Sequence, residues 1–169
     1  NAYRVLGIAF YWKGQGDNAL AACQKALALN RNNDLAIICV SRANFILGRL
    51  EESIGLVKKA LKLNPRFRVW LKNLYIGNAL FYLGNYRESV VALKKATADF
   101  PKHASIKLYL AAALAMAGRE DEARAVLATY FKLARGKRNT IEKLRADRAH
   151  IVPNFKRLAE ALRKVGFPE

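Results

Sequence analysis

The chain lacks any uncharged apolar run near the roughly 20 residues that a membrane-spanning helix requires, which excludes a membrane partner of that kind. It also lacks a basic opening followed by an apolar stretch and a small-residue cleavage site, so no secretion signal is visible. Acidic residues are scarce: 13 Asp and Glu stand against 30 Lys and Arg, leaving a formal charge of +17 over 169 residues. The basic excess is spread along the chain rather than gathered in a tail. It favours acidic partners or nucleic acid and says nothing about fold.

Chemistry-bearing motifs are missing too. There is no nucleophile elbow, phosphate-binding loop, HExxH or GxGxxG. The two histidines, His103 and His150, have no cysteine or carboxylate at ligand spacing and read as surface residues. The acidic run Arg119–Glu122 ("REDE") reads as the negatively charged first turn of a helix, not a metal site. No catalytic residue, metal or cofactor is expected, and the chain is expected not to be an enzyme. Cys23 and Cys39 fit no metal spacing and each falls on an apolar helical face. Buried free thiols in a reducing cytoplasm are expected, with a disulfide as the alternative.

What the chain does have is repetition. Four phrases align on Gly14, Gly48, Gly84 and Gly118, at intervals of 34, 36 and 34 residues. Periods of that length point to stacked helical hairpins. Apolar residues recur at helical spacing before each glycine (Ile76, Leu80, Leu83) and after it (Val90, Leu93, Ala96). A residue without Cβ can turn the backbone between the two helices. A small residue follows five positions later in every unit: Ala19, Ser53, Ser89 and Ala123. Ala26, Ala60 and Ala96 keep the second helix small on its inner side, and Pro65 and Pro101 stop it.

The arrangement "IGNALFYLGNYRESVVALKKA…P", with Gly77, Leu80, Gly84, Tyr86, Ser89, Leu93, Ala96 and Pro101, resembles the tetratricopeptide repeat. The resemblance covers about residues 2 to 135 and implies an all-α fold, a right-handed α-α superhelix of four hairpins plus a C-terminal capping helix. The expected organisation is four units over 1–135 (about 2–33, 34–68, 69–103 and 104–135), a hinge and short helix over 136–152, and a capping helix and tail over 153–169. Departures from the pattern are Ser41 and Ala111 at the eighth position, Tyr130 for an alanine, and Arg31 and Arg135 for proline. The two extra residues of the longer interval fall near Arg66–Trp70. In the last segment Phe155, Leu158, Leu162 and Val165 share one stripe, so the helix over 154–165 is expected to cover the bare face of the last hairpin.

Carrying the family's groove positions across gives a partner-binding list. Arg4, Ile8, Tyr11 and Trp12 come from the first unit, and Ile38, Arg42, Phe45 and Ile46 from the second. Leu74, Tyr75, Asn78, Phe81 and Tyr82 come from the third, with Leu108, Tyr109, Ala112 and Met116 from the fourth. The places that form a carboxylate clamp in some relatives hold Ile8 and Cys39 here, so an amphipathic helix suits this apolar lining better than a carboxylate tail does. The expected partner is therefore a protein or peptide, with a homodimer as a further expectation. Lys25, Lys58, Lys59, Lys62, Lys94 and Lys95 recur on the second helices; a solvated outer face is the ordinary reading. A basic nucleic-acid-binding scaffold is the alternative function, the weaker because no aromatic interleaving or reading helix accompanies the lysines.

The ending "TIEKLRA…NFKRLAEALRKVGFPE", with "NPRFRVWLKNLYIGNALFYLGNYRESV", is similar to the C-termini of bacterial multidomain signalling proteins. In those a class III adenylate/guanylate cyclase domain, or sometimes a winged-helix domain, precedes the repeats. That resemblance implies the non-catalytic part of such a protein, and an attached catalytic domain among its partners. The opening "NAYRVLGIAF" is already in helical period, which fits a piece of a longer chain.

Overall fold

A computed structural model describes residues 2–66 and 68–169. Among the described residues every regular element is a helix, as the repeat period requires. Four antiparallel hairpins follow one another: α1 (Ala2–Trp12) with α2 (Gly16–Leu29), α3 (Asp34–Ile46) with α4 (Leu50–Leu63), α5 (Val69–Leu83) with α6 (Tyr86–Asp99), and α7 (Ala104–Met116) with α8 (Glu120–Ala134). Each helix packs on the next, and the odd-numbered helices also touch one another in a row, α1 to α3 to α5 to α7. That row is the inner face. The even-numbered helices form the outer face and carry the six repeated lysines, all exposed.

Each hairpin turns on its glycine. Gly14, Gly48, Gly84 and Gly118 have φ between +72° and +88°, a conformation that costs glycine least. The small residues set how closely the paired helices approach. Ser89 donates its hydroxyl to the Gly77 carbonyl at 2.7 Å, and a Cβ on Gly77 would lie 2.5 Å from Leu93 Cγ. In the second unit the Ser41 and Ser53 hydroxyls meet at 2.9 Å, so two small polar residues satisfy each other in the core. Between α4 and α5 the longer interval is bridged by Lys72. Only 2% exposed, its ammonium donates to the Asn64 carbonyl at 2.7 Å and lies 3.3 Å from Asp34 Oδ2. Of the Arg66–Trp70 insertion, Phe67 lies outside the described residues.

The cysteines correct an expectation. Cys23 and Cys39 are not free thiols but form a disulfide between α2 and α3, where the two Cα atoms are 5.4 Å apart. Both residues do lie on apolar faces, with Val40, Ile8 and Leu20 around them. What the sequence could not show is that these two faces meet each other. Gly7 makes room for the bond, since a Cβ there would sit 2.5 Å from Cys23 Sγ. With the thiols paired, nothing in them points to a reducing surrounding.

The C-terminal segment does more than cover the last hairpin. Helices α9 (Ile141–Arg148) and α10 (Phe155–Arg163) form a short hairpin of their own, and α10 packs on α7. Thr140 caps α9 through the Lys143 N–H, and Asn154 caps α10 through the Arg157 N–H. Leu158 and Leu162 are buried, as is Phe167 of the tail, which meets the Tyr130 and Phe131 rings of α8 at 5.8 and 5.2 Å. The tip between α9 and α10 reaches across the inner face to the first unit.

Candidate functional site

The inner face is best built from its hydrogen bonds. A helix leaves its last carbonyls without intrahelical donors, and three helices of the row present such ends or starts to the C-terminal hairpin. His150 Nε2 lies 3.0 Å from the Trp12 carbonyl at the end of α1. Arg157 donates to the Tyr82 carbonyl in the last turn of α5. Arg148 Nη2 donates to Ser105 Oγ in the first turn of α7 at 2.8 Å. Between these ties Ile151 and Val152 are buried, closing over Tyr11, Phe45 and Tyr109 and leaving a space of only about 30 Å³. The groove is thus occupied by the chain's own hairpin.

Beside the tip a larger cavity of about 530 Å³ stays open. Arg42 of α3 projects into it with its guanidinium carbon 4.0 Å from the Tyr11 ring centroid, 5.3 Å from Trp12 and 5.8 Å from Tyr75. Arginine over aromatic faces is favourable, and a planar cation held this way keeps its donor edge free. Burial pushes the Tyr75 hydroxyl up to about 12, against the opposing pull of Arg42. The Tyr82 and Tyr109 hydroxyls meet at 3.3 Å. Burial raises both, Tyr109 to about 12, so they remain neutral donors and acceptors at any ordinary pH. On the other wall Asp147 pairs with Arg138 at 2.9 Å and with Arg148 at 3.4 Å.

The residues expected in the groove divide three ways. Tyr11, Trp12, Arg42, Leu74 and Asn78 come together around the larger cavity, and Tyr109 and Phe45 line the small space beneath Ile151 and Val152. Phe81 is fully buried among the rings of Tyr82, Tyr86 and Tyr109, and Ile38 packs with Ile37, Val57 and Ala60 between hairpins. Ile8 packs by the disulfide, while Arg4 and Met116 are half-buried and border neither space. The polar lining residues that the groove positions omitted are His103, Ser105, Arg138, Asp147, Arg148 and His150. Repeat positions could not supply them, because four of the six belong to the segment after the last repeat. The expectation for the histidines changes too. His150 is exposed as expected but bonds to α1, and His103 is half-buried beside Trp70 and Phe100, with ring centroids 5.2 and 5.6 Å away.

Comparison with known proteins agrees with the fold. Residues 80–147 match the family model described as "Tetratricopeptide repeat". TTC0263, a thermophilic TPR protein of Thermus thermophilus, superposes with a TM-score of 0.71 at 24% identity, over 96% of this chain and 86% of that one. MamA of Desulfovibrio magneticus RS-1 superposes at 0.68 with 18% identity, over 97% and 91%. The shared fold is the tetratricopeptide-repeat solenoid. No curated protein matches the chain in sequence. No helix among the described residues is long and apolar enough to cross a membrane.

Proposed function

We propose that the chain is a non-catalytic interaction module whose inner face receives an amphipathic helical segment of a protein partner, with its own α9–α10 hairpin as the resident occupant. The supporting observation is that hairpin. It lays Ile151, Val152, Leu158 and Leu162 against the solenoid and bonds to the ends of α1, α5 and α7. A surface that holds one amphipathic helix pair can hold another of like chemistry. A partner helix then competes with a tethered one, so its apparent affinity is lowered by the fraction of time the groove is closed.

The sequence resemblance to bacterial cyclase-containing proteins supports a narrower version. There the competing segment belongs to an attached nucleotide cyclase domain, or to a second copy of the chain, and the module regulates signalling in the cytoplasm. The basic outer face supports a second reading, nucleic-acid binding. Retardation of a duplex or single strand at low salt, weakening steeply as salt rises, would favour that reading.

The test uses a labelled peptide spanning residues 139–169 and the full chain carrying Ile151→Asp and Leu158→Asp to release the resident hairpin. The released chain is expected to bind the peptide saturably while the unaltered chain does not. A released chain that keeps its helical circular dichroism yet ignores the peptide overturns the groove assignment.

A further inference from the structure

The open cavity beside the hairpin tip has the features of a ligand site that the peptide groove does not explain. Its walls carry three arginines, Arg42, Arg138 and Arg148, against the single carboxylate of Asp147. Asp147 is held between Arg138 and Arg148, so the cavity keeps two positive charges in excess. Arg42 carries one of them: stacked on Tyr11, it makes no hydrogen bond or ion pair among the described residues, and its buried Nε has no partner. Asn78 is only 9% exposed, and its Oδ1 is likewise buried without a partner. A third such atom, His103 Nδ1, lies on the same lining. His103 also stands at the N-cap of α7 without making a cap bond, and that helix has no acidic residue in its first turn, so its positive end is uncompensated.

Buried polar atoms without partners are rare in folded proteins and costly where they occur. Arg42 Nε, beside an excess of guanidinium charge and the bare start of α7, calls for an occupant rich in acceptor oxygens, whereas Asn78 Oδ1 is an acceptor and takes a donor such as a bridging water. We infer that this cavity binds a small organic dianion, its acid groups taken by Arg42 and Arg148 and its carbon body lying against Leu71, Leu74 and Tyr75. About 530 Å³ is ample for such a molecule and falls within the usual range for small-ligand pockets. The roof is the α9 end and the hairpin tip, which favours a free small molecule over the terminus of a partner chain. Arginine is suited to the task because its fork donates two parallel hydrogen bonds to one acid group.

A ligand gripped by Arg42 of α3 and Arg148 of α9 would also tie the hairpin to the solenoid. That consequence rests on the proposed release of the hairpin; the site itself does not.

The site is tested by calorimetry on the full chain, with succinate and phthalate as probes at chloride-matched ionic strength and inorganic phosphate as a separate arm. Saturable one-to-one binding of a dicarboxylate is expected. Arg42→Gln and Arg148→Gln should each weaken it by about tenfold or more, because a charge-assisted bond is lost. Arg42→Lys, which keeps the charge and loses the fork, should weaken it less than Arg42→Gln, and Lys59→Gln on the outer face should leave it unchanged. The inference is overturned by absence of saturable heat, which would mean that water fills the cavity. Binding by inorganic phosphate alone, or equal loss in Lys59→Gln, would overturn it too. Melting curves on every variant keep loss of fold apart from loss of binding.

Discussion

His150 Nε2 and the carbonyl oxygen of Trp12 lie 3.0 Å apart although 138 positions separate them in the chain. The contact closes the first unit against the last segment, and the backbone beside it is equally close. A Cβ on Gly14 would stand 2.6 Å from the His150 carbonyl oxygen.

Gly14 and Gly48 therefore make a controlled pair. Both have positive φ, +72° and +78°, so alanine is strained at either position by about 1 kcal/mol. Only at Gly14 does the new methyl collide with another segment; at Gly48 it meets open space. Gly14→Ala is expected to lower stability in denaturant by more than Gly48→Ala and to raise proteolysis in the 136–140 region. Equal losses in stability, with no change in cleavage, would mean the tip does not rest on the first turn.

The disulfide predicts that native protein purified without reductant offers no thiol to a chromogenic thiol reagent, before or after unfolding. Closing a loop between cysteines 16 positions apart is worth about 3 kcal/mol by loop entropy. Cys23→Ala with Cys39→Ala should lose stability of that order. Two titratable thiols per chain would return the pair to the free state.

His103 gives the expected pH response. Burial, followed by the nearby charge of Arg148, lowers its pKa below the usual histidine value near 6.5. The unfolded chain then binds its proton more readily than the folded one. Stability should fall as pH drops below about 6.5 and level off beneath the lowered value. His103→Gln should flatten that part of the profile measured by denaturant midpoints. An unchanged slope would assign it elsewhere.

Lys72 is the buried cation that spans the longer interval. Lys72→Ala leaves Asp34 without its partner at 3.3 Å and two carbonyls without their donor. Breaking a buried pair from one side costs about 3 kcal/mol or more. A loss under about 1 kcal/mol in chemical unfolding would show that water replaces it.

Much of the solenoid was legible in the sequence because each hairpin repeats one local solution: a glycine at positive φ, a small residue five positions on, apolar residues at helical spacing. Gly84, Ser89 and Leu93 carry that information within ten positions. The inner row was legible only in part. Arg42, Asn78 and Trp12 sit at repeat positions that reach the cavity, whereas Phe81 and Ile38, chosen by the same rule, fill space between hairpins. Repeat position sets a helix face, and whether that face meets solvent or a neighbour depends on packing. The stripe of Leu158 and Leu162 announced a helix needing cover, but nothing local said that its preceding loop would carry Ile151 to Tyr11. Nor could two apolar faces holding Cys23 and Cys39 reveal that they touch.

The C-terminal hairpin lies in the inner groove of the free protein. Nuclear Overhauser contacts from the Ile151 methyl groups, in protein with labelled methyls and aromatic rings, read this directly. Cross-peaks are expected from Ile151 to the rings of Tyr11, Phe45 and Tyr109, with methyl shifts displaced by those rings. Ile151 methyls at unstructured shifts, without contacts to any of the three rings, would contradict it.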